Sequence, residues 1–411
     1  MSFSYYRIHD EKNQMKIIFE SQIYPDSLIE EMKDLSKGGL DIAAHNLCKA
    51  IYTGLLLNNQ EVHLINVPNL GSFPMLFKRP RVPGTKMEHG RSLAFWNVTV
   101  FKRIDIRVRI KHELNRLLKN CNNESKTILL IYNFRTLPLL TKVKKDNPSL
   151  KIVMVVTDLP EFMLKPTGML FKLGDKLLKH KETDELEGFK AIDGFVLLAP
   201  AMSDKIPVGG KPWIQIEGIF NSDTLVEKQE KNDEKTILYS GDLGLRYGIL
   251  DLLEAFHIIH DDSYRLWICG DGEGREEVIK YSKADRRIDY KGILSRKEVL
   301  SLQQRATILV NPRKSTDEYT KYSFPSKTME YLASGTPVVM SHLQSFPQEY
   351  SPYIYYLEDE SIYGLRSKIQ EVCSKPRLEL DEFGSKAAEF ILEQKTPIPQ
   401  MKKVIEFIKT L

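Results

Sequence analysis

The sequence predicts an α/β protein built as two domains, each a parallel sheet wrapped by crossover helices. Three observations carry this prediction. At 411 residues the chain exceeds the ~250–300 residues at which a single core stops growing. Short apolar runs rich in Ile, Val and Tyr alternate with stretches of helical periodicity, the pattern of parallel strands joined by helices. The alternation also restarts near Lys235 after a polar stretch, so the second half repeats the plan of the first.

In the first half the strands fall at Met15–Glu20, Glu61–Asn66, Thr127–Tyr132, Lys151–Val156, Gly194–Ala199 and Trp213–Glu217. Leu40, Ala43, Ala44, Leu47, Ala50 and Ile51 repeat at three and four and make the first crossover helix apolar on one face. The second half places strands at Thr236–Ser240, Arg265–Cys269, Ile288–Lys291, Ile308–Asn311 and Pro337–Ser341, and reads as helices after Glu358. Between the halves, Gly218–Glu234 has low hydrophobic density and contains the run EKQEKNDEK, which reads as a solvated linker. The expected domains are 1–218 and 219–395, followed by a helix over 396–411. That helix carries Met401, Val404, Ile405, Phe407 and Ile408, and this apolar surface is expected to pack back on the N-terminal domain.

Composition excludes several classes. With 42% hydrophobic and 28% charged residues the chain can bury an ordinary core, which rules out a disordered or fibrous protein. A net charge of +4 suits an anionic small ligand or an anionic membrane surface better than nucleic acid. Cys48, Cys121, Cys269 and Cys373 are far apart, so neither a zinc site nor a disulfide framework is expected. MSFSYYRIHDEKNQ lacks the apolar core of a signal peptide, and no apolar run reaches ~18–20 residues; a cytoplasmic setting is expected.

The chemistry concentrates in NPRKSTDEYTKYSFPSKTMEYLASGTPVVMS, Asn311–Ser341, which reads strand, loop, helix, turn, strand. Pro325 suits a first helical turn, Ser326 could satisfy an orphan amide, Gly335 suits a helix C-terminus and Pro337 stops the helix. A loop entering a helix at the carboxyl end of a strand is where open α/β sheets bind phosphates. Lys327 adds a cation there, and Glu330, about one turn on, could accept hydrogen bonds from ribose hydroxyls. Read alone, Pro-Ser-Lys is more often an ordinary helix cap with surface charges, since caps are common.

The string SFPSK followed by EYLASGTPVV resembles the donor-binding motif of family-4 (group 1) retaining glycosyltransferases, whose fold is GT-B, two Rossmann-like domains facing across a cleft. YSGDLGLRYGILDLLEAF and RLWICGDGEG look like that family's two preceding strand–loop–helix units, so the resemblance covers about Lys235 to Leu343. It implies that Glu330 holds the donor ribose, and that Ser326 and Lys327 present amides to a diphosphate. The donor loop then comprises Tyr322, Ser323, Phe324, Pro325, Ser326 and Lys327, with Gly241 opposite. Three positions depart from the family pattern. Tyr322 stands where the first of two glutamates belongs, Asp242 where an arginine does and Tyr247 where a lysine does. Arg246 and Arg313 are the candidates to replace the missing cations, against the alternative of surface arginines. GDGEG at Gly270–Gly274 reads either as a strand-to-helix turn or as a contact to the nucleotide base.

In the N-terminal half the resemblance implies that Gly38 and Gly39, after the first strand, face the donor phosphates, the alternative being a flexible loop end. Asp158, after Lys151–Val156, is placed either to orient and deprotonate an acceptor hydroxyl or to cap the following loop. KPTGMLFKLGDKLLKHK, Lys165–Lys181, is basic and amphipathic and suits either an anionic membrane surface or ordinary packing. The expected activity is transfer of a sugar from a nucleoside diphosphate, UDP favoured, to a saccharide or lipid-linked acceptor in surface polysaccharide or glycoconjugate synthesis. Asp158, Arg246 and Lys327 are its candidate catalytic residues. No metal is expected, since no Asp-x-Asp pair occurs; no further cofactor and no nucleic acid are expected either. The rivals are an epimerase of the same fold and a non-catalytic nucleotide-sugar-binding subunit.

Overall fold

The computed structural model describes residues 15–119, 126–132, 134–159, 187–221, 227 and 229–411. The chain divides into two compact units. One comprises the chain up to Leu197 with Ser203–Ile219 and Pro397–Leu411; the other comprises Leu198–Met202 and Phe220–Thr396.

The first unit runs β1 (Lys16–Ser21), α1 (Ile29–Leu35), α2 (Ile42–Leu57), β2 (Glu61–Asn66), β3 (Arg81–Val82), β4 (Thr85–Met87), β5 (Gly90–Ser92), β6 (Phe95–Trp96), α3 (Thr99–Lys119), β7 (Thr127–Tyr132), α4 (Leu137–Asp146), β8 (Lys151–Val156), β9 (Gly194–Leu197) and β10 (Trp213–Gln215). Its main sheet has the order β10-β9-β8-β7-β1-β2-β5-β4 and is parallel except for the β4–β5 pair. β1, β7 and β8 are buried over their last five residues, as strands covered on both faces must be. β1 lies between β2 and β7, so the connection leaving β1 and the one reaching β7 run to opposite sides of the sheet. α2 begins at Asp41, whose side chain accepts from the Ala44 amide at 3.1 Å. The segment between β2 and α3 holds four strands of two or three residues that periodicity does not reveal, because each is shorter than one alternating repeat.

The second unit runs β11 (Lys235–Ser240), α5 (Ile249–His257), β12 (Tyr264–Cys269), α6 (Arg275–Ala284), β13 (Ile288–Gly292), α7 (Arg296–Arg305), β14 (Ile308–Asn311), α8 (Lys327–Ala333), β15 (Val338–Ser341), β16 (Tyr355–Leu357), α9 (Ile362–Cys373) and α10 (Arg377–Gln394). Its sheet is wholly parallel, in the order β13-β12-β11-β14-β15-β16. Numbered from the unit's own start this is 3-2-1-4-5-6, the doubly wound Rossmann order, with its switch point between β11 and β14. One apolar cluster covers each face of the sheet, one around α5 and α9 and the other around α8 and α10.

The run EKQEKNDEK is not a free linker. Lys231 Nζ donates to Ala306 O at 2.8 Å and Thr336 Oγ1 at 2.6 Å, the Asn232 amide to Arg305 O, and the Gln229 amide to Gln304 Oε1. Residues 229–232 therefore lie along the second unit, because the Lys231 ammonium and two backbone amides have their partners there, mostly at the end of α7. The terminal helix α11 (Pro397–Lys409) belongs to the first unit. Met401, Val404, Ile405 and Ile408 are buried in the core that contains α2 residues Ala44, Cys48, Ile51 and Leu55. Gly54 makes the close approach possible, since a Cβ there would lie 2.4 Å from Pro397 O. Phe407 is only partly buried against the same core.

Candidate functional site

In the second unit the site forms at the carboxyl ends of β11 and β14, where a doubly wound sheet opens. β11 ends in Ser240 and passes into Gly241–Gly244; β14 ends in Asn311 and passes into the loop that carries Arg313. Gly241 has φ +141°, and a Cβ there would fall 1.6 Å from Lys327 Nζ. The Lys327 ammonium thus occupies the space that a side chain at 241 would fill, and it lies 5.2 Å from the centre of the Tyr239 ring. Burial, reinforced by the Arg313 charge, lowers the Lys327 pKa to about 8 against the opposing pull of Asp242 and Glu330.

The glycines of GDGEG serve packing of this loop. A Cβ at Gly270 would strike Gly241 O at 1.7 Å, and one at Gly272 would lie 2.7 Å from Asp242 Oδ1. The Leu243 amide donates to Asp271 O, and the Gly274 amide to Leu243 O. Asp242 accepts from the Gly244 amide at 2.7 Å, so the carboxylate that stands where relatives carry an arginine holds the turn shut.

Tyr247 stands where relatives carry a lysine, and it brings two cations together. The Arg246 guanidinium lies 4.8 Å and that of Arg313 4.3 Å from the Tyr247 ring. Arg246 Nη2 also donates to Tyr247 Oη at 2.6 Å. Tyr319 completes the cluster: its hydroxyl donates to Arg246 O at 2.9 Å and its ring meets Tyr247 edge-on. Sequence reasoning missed Tyr319, although an aromatic three residues before Tyr322 in the same loop is a visible signal.

Glu330 lies in the first turn of α8, and its carboxylate is held before any ligand arrives. Gln303 Nε2 donates to Oε1 at 2.8 Å, and Arg296 Nη2 lies 3.3 Å from Oε2. Gln303 is fully buried and also reaches Ser240 Oγ at 3.4 Å, tying Glu330 to the end of β11. A carboxylate has about four acceptor positions, so these two contacts still leave room for hydroxyl donors. Neither Gln303 nor Arg296 was singled out from sequence, because both lie on the preceding helix, about 30 residues away. Gln303→Leu is expected to raise the donor KM about tenfold while kcat falls less than threefold, because it loosens Glu330 without touching a reacting atom. Steady-state kinetics with varied donor check this.

The loop itself departs from expectation at one point. Ser326 is exposed, has helical angles and makes no capping hydrogen bond, so it does not satisfy an orphan amide with its side chain. The Thr328 and Met329 amides instead bond to Pro325 O and Ser326 O. The Ser326 and Lys327 amides have no acceptor among the described residues. Phe324 is turned into the core, 4.5 Å from the Phe346 ring and 5.9 Å from that of Tyr350, and Pro325 is buried beside it. These two anchor the loop, while Tyr322 and Ser323 are half-buried. Gly335, φ +75°, ends α8 in the left-handed conformation.

In the first unit Gly38 and Gly39 lie in the open loop before α2. A Cβ at Gly39 would meet nothing within 4 Å, and one at Gly38 only Leu76 Cδ2 at 3.9 Å. Asp158 follows β8 and reaches solvent; Thr157 Oγ1 donates to its Oδ2 at 3.1 Å. Protein packed around the carboxyl raises its pKa, and the nearby Asp41 at the start of α2 pushes the same way. Asp158 and the Gly38–Gly39 loop thus share one end of the sheet. Glu20, missed from sequence, sits there too: it is the one acid in the wholly buried run of β1. Burial raises it to about 7, while Arg135, 3.9 Å away, pulls the other way. Lys165–Lys181 and Cys121 lie outside the described residues. Among those described, no three His, Cys, Asp or Glu side chains are grouped to hold a metal ion, and no helix is long and apolar enough to cross a membrane.

Two α/β units, one with the Rossmann order and a cationic loop at its switch point, define a GT-B nucleotide-binding protein. The comparisons specify the class further. Residues 221–389 match the family described as Glycosyl transferases group 1. The chain resembles sucrose-phosphate synthase from Thermosynechococcus elongatus, at 13% identity and TM-score 0.59, over 97% of this chain and 100% of that one. It also resembles the catalytic domain of starch synthase IV from Arabidopsis thaliana, bound to ADP and acarbose, at 9% identity and TM-score 0.60 over 96% and 99%. A third likeness is to a trehalose-6-phosphate structure from E. coli bound with UDP-2-fluoro glucose, at 11% identity and TM-score 0.58 over 96% and 99%. No curated protein sequence matches significantly. The second unit is accordingly a glycosyl transferases group 1 domain, and the chain is a glycosyltransferase.

Proposed function

We propose that the chain moves a sugar from a nucleoside-diphosphate sugar, a UDP-sugar in first place, to an acceptor hydroxyl with retention, in the cytoplasmic assembly of a surface polysaccharide or glycoconjugate. One observation carries the reading: at a Rossmann switch point, the Lys327 ammonium feels the Arg313 charge, Arg313 and Arg246 share the Tyr247 ring, and the Glu330 carboxylate in the first turn of α8 is already held by Gln303. The cations suit a departing diphosphate, and the carboxylate suits the ribose hydroxyls. The ADP and UDP-sugar ligands of two similar structures support a nucleotide there.

In the transfer, the bond from the sugar's anomeric carbon to the diphosphate oxygen breaks with its electron pair leaving on oxygen. A bond from the acceptor oxygen to that carbon forms, and the acceptor proton must be taken up. Asp158 is assigned to orient the acceptor hydroxyl, its raised pKa making it a stronger base than an ordinary aspartate. The donor is a substrate, and neither a metal nor a further cofactor is assigned. The acceptor is a saccharide, free or lipid-linked, and nucleic acid is not a partner.

The test is product analysis by mass spectrometry with UDP-, GDP- and ADP-sugars, with and without oligosaccharide or lipid-linked acceptors. Acceptor-dependent release of the nucleoside diphosphate with a matching mass gain supports transfer. An altered sugar without acceptor would assign an epimerase. Binding without turnover of any donor would assign a non-catalytic subunit, the reading that the departures at Asp242, Tyr247 and Tyr322 favour.

A further inference from the structure

α3 carries two apolar faces. Ile106, Ile110, Leu114 and Leu117 are buried and fix the helix to the first unit. Phe101, Ile104 and Val108, spaced at three and four, face outward and are 66%, 57% and 61% exposed. Arg103, Arg107 and Lys111, spaced at four, form the neighbouring row on the same helix. An apolar stripe flanked by a basic one is the pattern of a helix that lies in a membrane interface.

The charge is concentrated here. α3 holds seven Lys or Arg against Asp105 and Glu113, a net of +5, whereas the whole chain is +4. Both acids are already engaged, Asp105 by Arg109 at 2.8 Å and Glu113 by Arg116 at 2.7 Å and Arg91 at 3.3 Å. Arg103 and Lys111 have no ion-pair partner among the described residues. The apolar surface continues off the helix. Thr99 Oγ1 donates to Phe73 O, and the Trp96 amide to Asp105 Oδ2, which hold Met75, Leu76 and Trp96, 71%, 52% and 46% exposed, beside its N-terminal end. Leu76 in turn touches the glycine loop: the Lys37 amide donates to Leu76 O at 2.9 Å.

We infer that this face of α3, with Met75, Leu76 and Trp96, docks on an anionic lipid bilayer surface. Phosphates of a nucleic acid would meet the arginines but leave Phe101, Ile104 and Val108 in water, whereas a bilayer takes up the apolar stripe in its acyl region and the basic row at its headgroups. The inference deepens the proposed function, because the docked surface adjoins the Gly38–Gly39 loop, which lies at the same end of the sheet as Asp158, and would bring a membrane-held acceptor to that end. Vesicle binding needs neither donor nor turnover, so its failure and that of the transferase reading are separable.

Flotation of the full chain with phosphatidylcholine vesicles, with and without phosphatidylglycerol, is the test. Binding is expected only to the anionic vesicles. Arg103→Gln with Lys111→Gln is expected to weaken it about thirtyfold, and Phe101→Ser with Ile104→Ser at least about tenfold. All four positions lie on the outward side, so melting temperatures should stay within about 2 °C of the native value. Absence of native binding to anionic vesicles would overturn the inference. So would retention of binding in both variants with loss only on neutralising the lysines of Lys165–Lys181, or tighter binding to a DNA duplex than to the vesicles.

Discussion

Lys327→Met is expected to melt higher than the native protein at pH 7 while turning over roughly a hundred to a thousand times more slowly. The two effects share one cause. Burial beside Gly241 and Tyr239, with Arg313 nearby, lowers the ammonium from 10.5 to about 8. In the unfolded chain the group keeps its ordinary value, so between about pH 8 and 10.5 the unfolded state binds more protons and stability rises with pH. Below pH 8 both states are charged and the fold carries the whole penalty. A shift of this size corresponds to about 3 kcal/mol. That shift is already net of the attractions of Asp242 and Glu330; allowing for imperfect packing of the methionine, about 2 kcal/mol of stabilisation is expected at pH 7. The gain should shrink toward zero by about pH 10.5. Melting curves across this range check the sign. The catalytic side follows from the same charge: kcat/KM of the native enzyme should fall as pH rises through about 8, and that limb should be missing in Lys327→Met. A cation held at a cost to folding is a reason to regard it as functional.

Glu330→Ala is expected to weaken nucleoside diphosphate binding by about a hundredfold or more, since a hydrogen bond to a charged group is worth about 1.5–3 kcal/mol and two ribose hydroxyls are in question. The fold should survive. The Arg296 contact that is lost is half-exposed and contributes little, and Gln303 retains Ser240 Oγ as a partner. A nucleotide lacking both ribose hydroxyls supplies the control. It should bind the native protein as weakly as the ordinary nucleotide binds Glu330→Ala, and it should lose nothing further in the variant. Titration calorimetry on the four combinations gives the coupling directly.

Much of this site was legible in the sequence because its grammar is local. The strand ending at Asn311, the Pro325 turn, the glycine at 335 and the proline at 337 fix a strand–loop–helix–strand unit within 31 residues, and Lys327 and Glu330 follow from its register. The longer strands of both sheets were legible for the same reason: β7 and β8 each hold a run of five apolar residues, and β1 and β11 a run of three, between polar stretches. What was not legible is what distant segments supply. Gln303 and Arg296 reach Glu330 from α7, Tyr319 reaches Arg246 across 73 residues, and Arg135 meets Glu20 only because β1 and β7 are neighbours. The short strands between β2 and α3, and β16, have too few residues to show a period. Ser326 was misread because a serine before a helix usually caps it; here the Pro325 and Ser326 carbonyls have taken the first-turn amides. The charge of α3 was legible in principle, but its outward apolar stripe became distinct only once Ile106, Ile110, Leu114 and Leu117 were seen to be the buried side.

Central to the proposed function is the binding of a nucleoside diphosphate by the second unit at Glu330 and Lys327. It is tested most directly by thermal unfolding of the native protein and Glu330→Ala with UDP, GDP, ADP or CMP in excess. A ligand at about 100 times its dissociation constant adds ~2.7 kcal/mol to the stability of the form it binds. The native melting temperature is expected to rise clearly with UDP and less or not at all with the other three, and the UDP shift is expected to be lost in the variant. A native protein that responds to none of the four, or a UDP shift undiminished in Glu330→Ala, would contradict it.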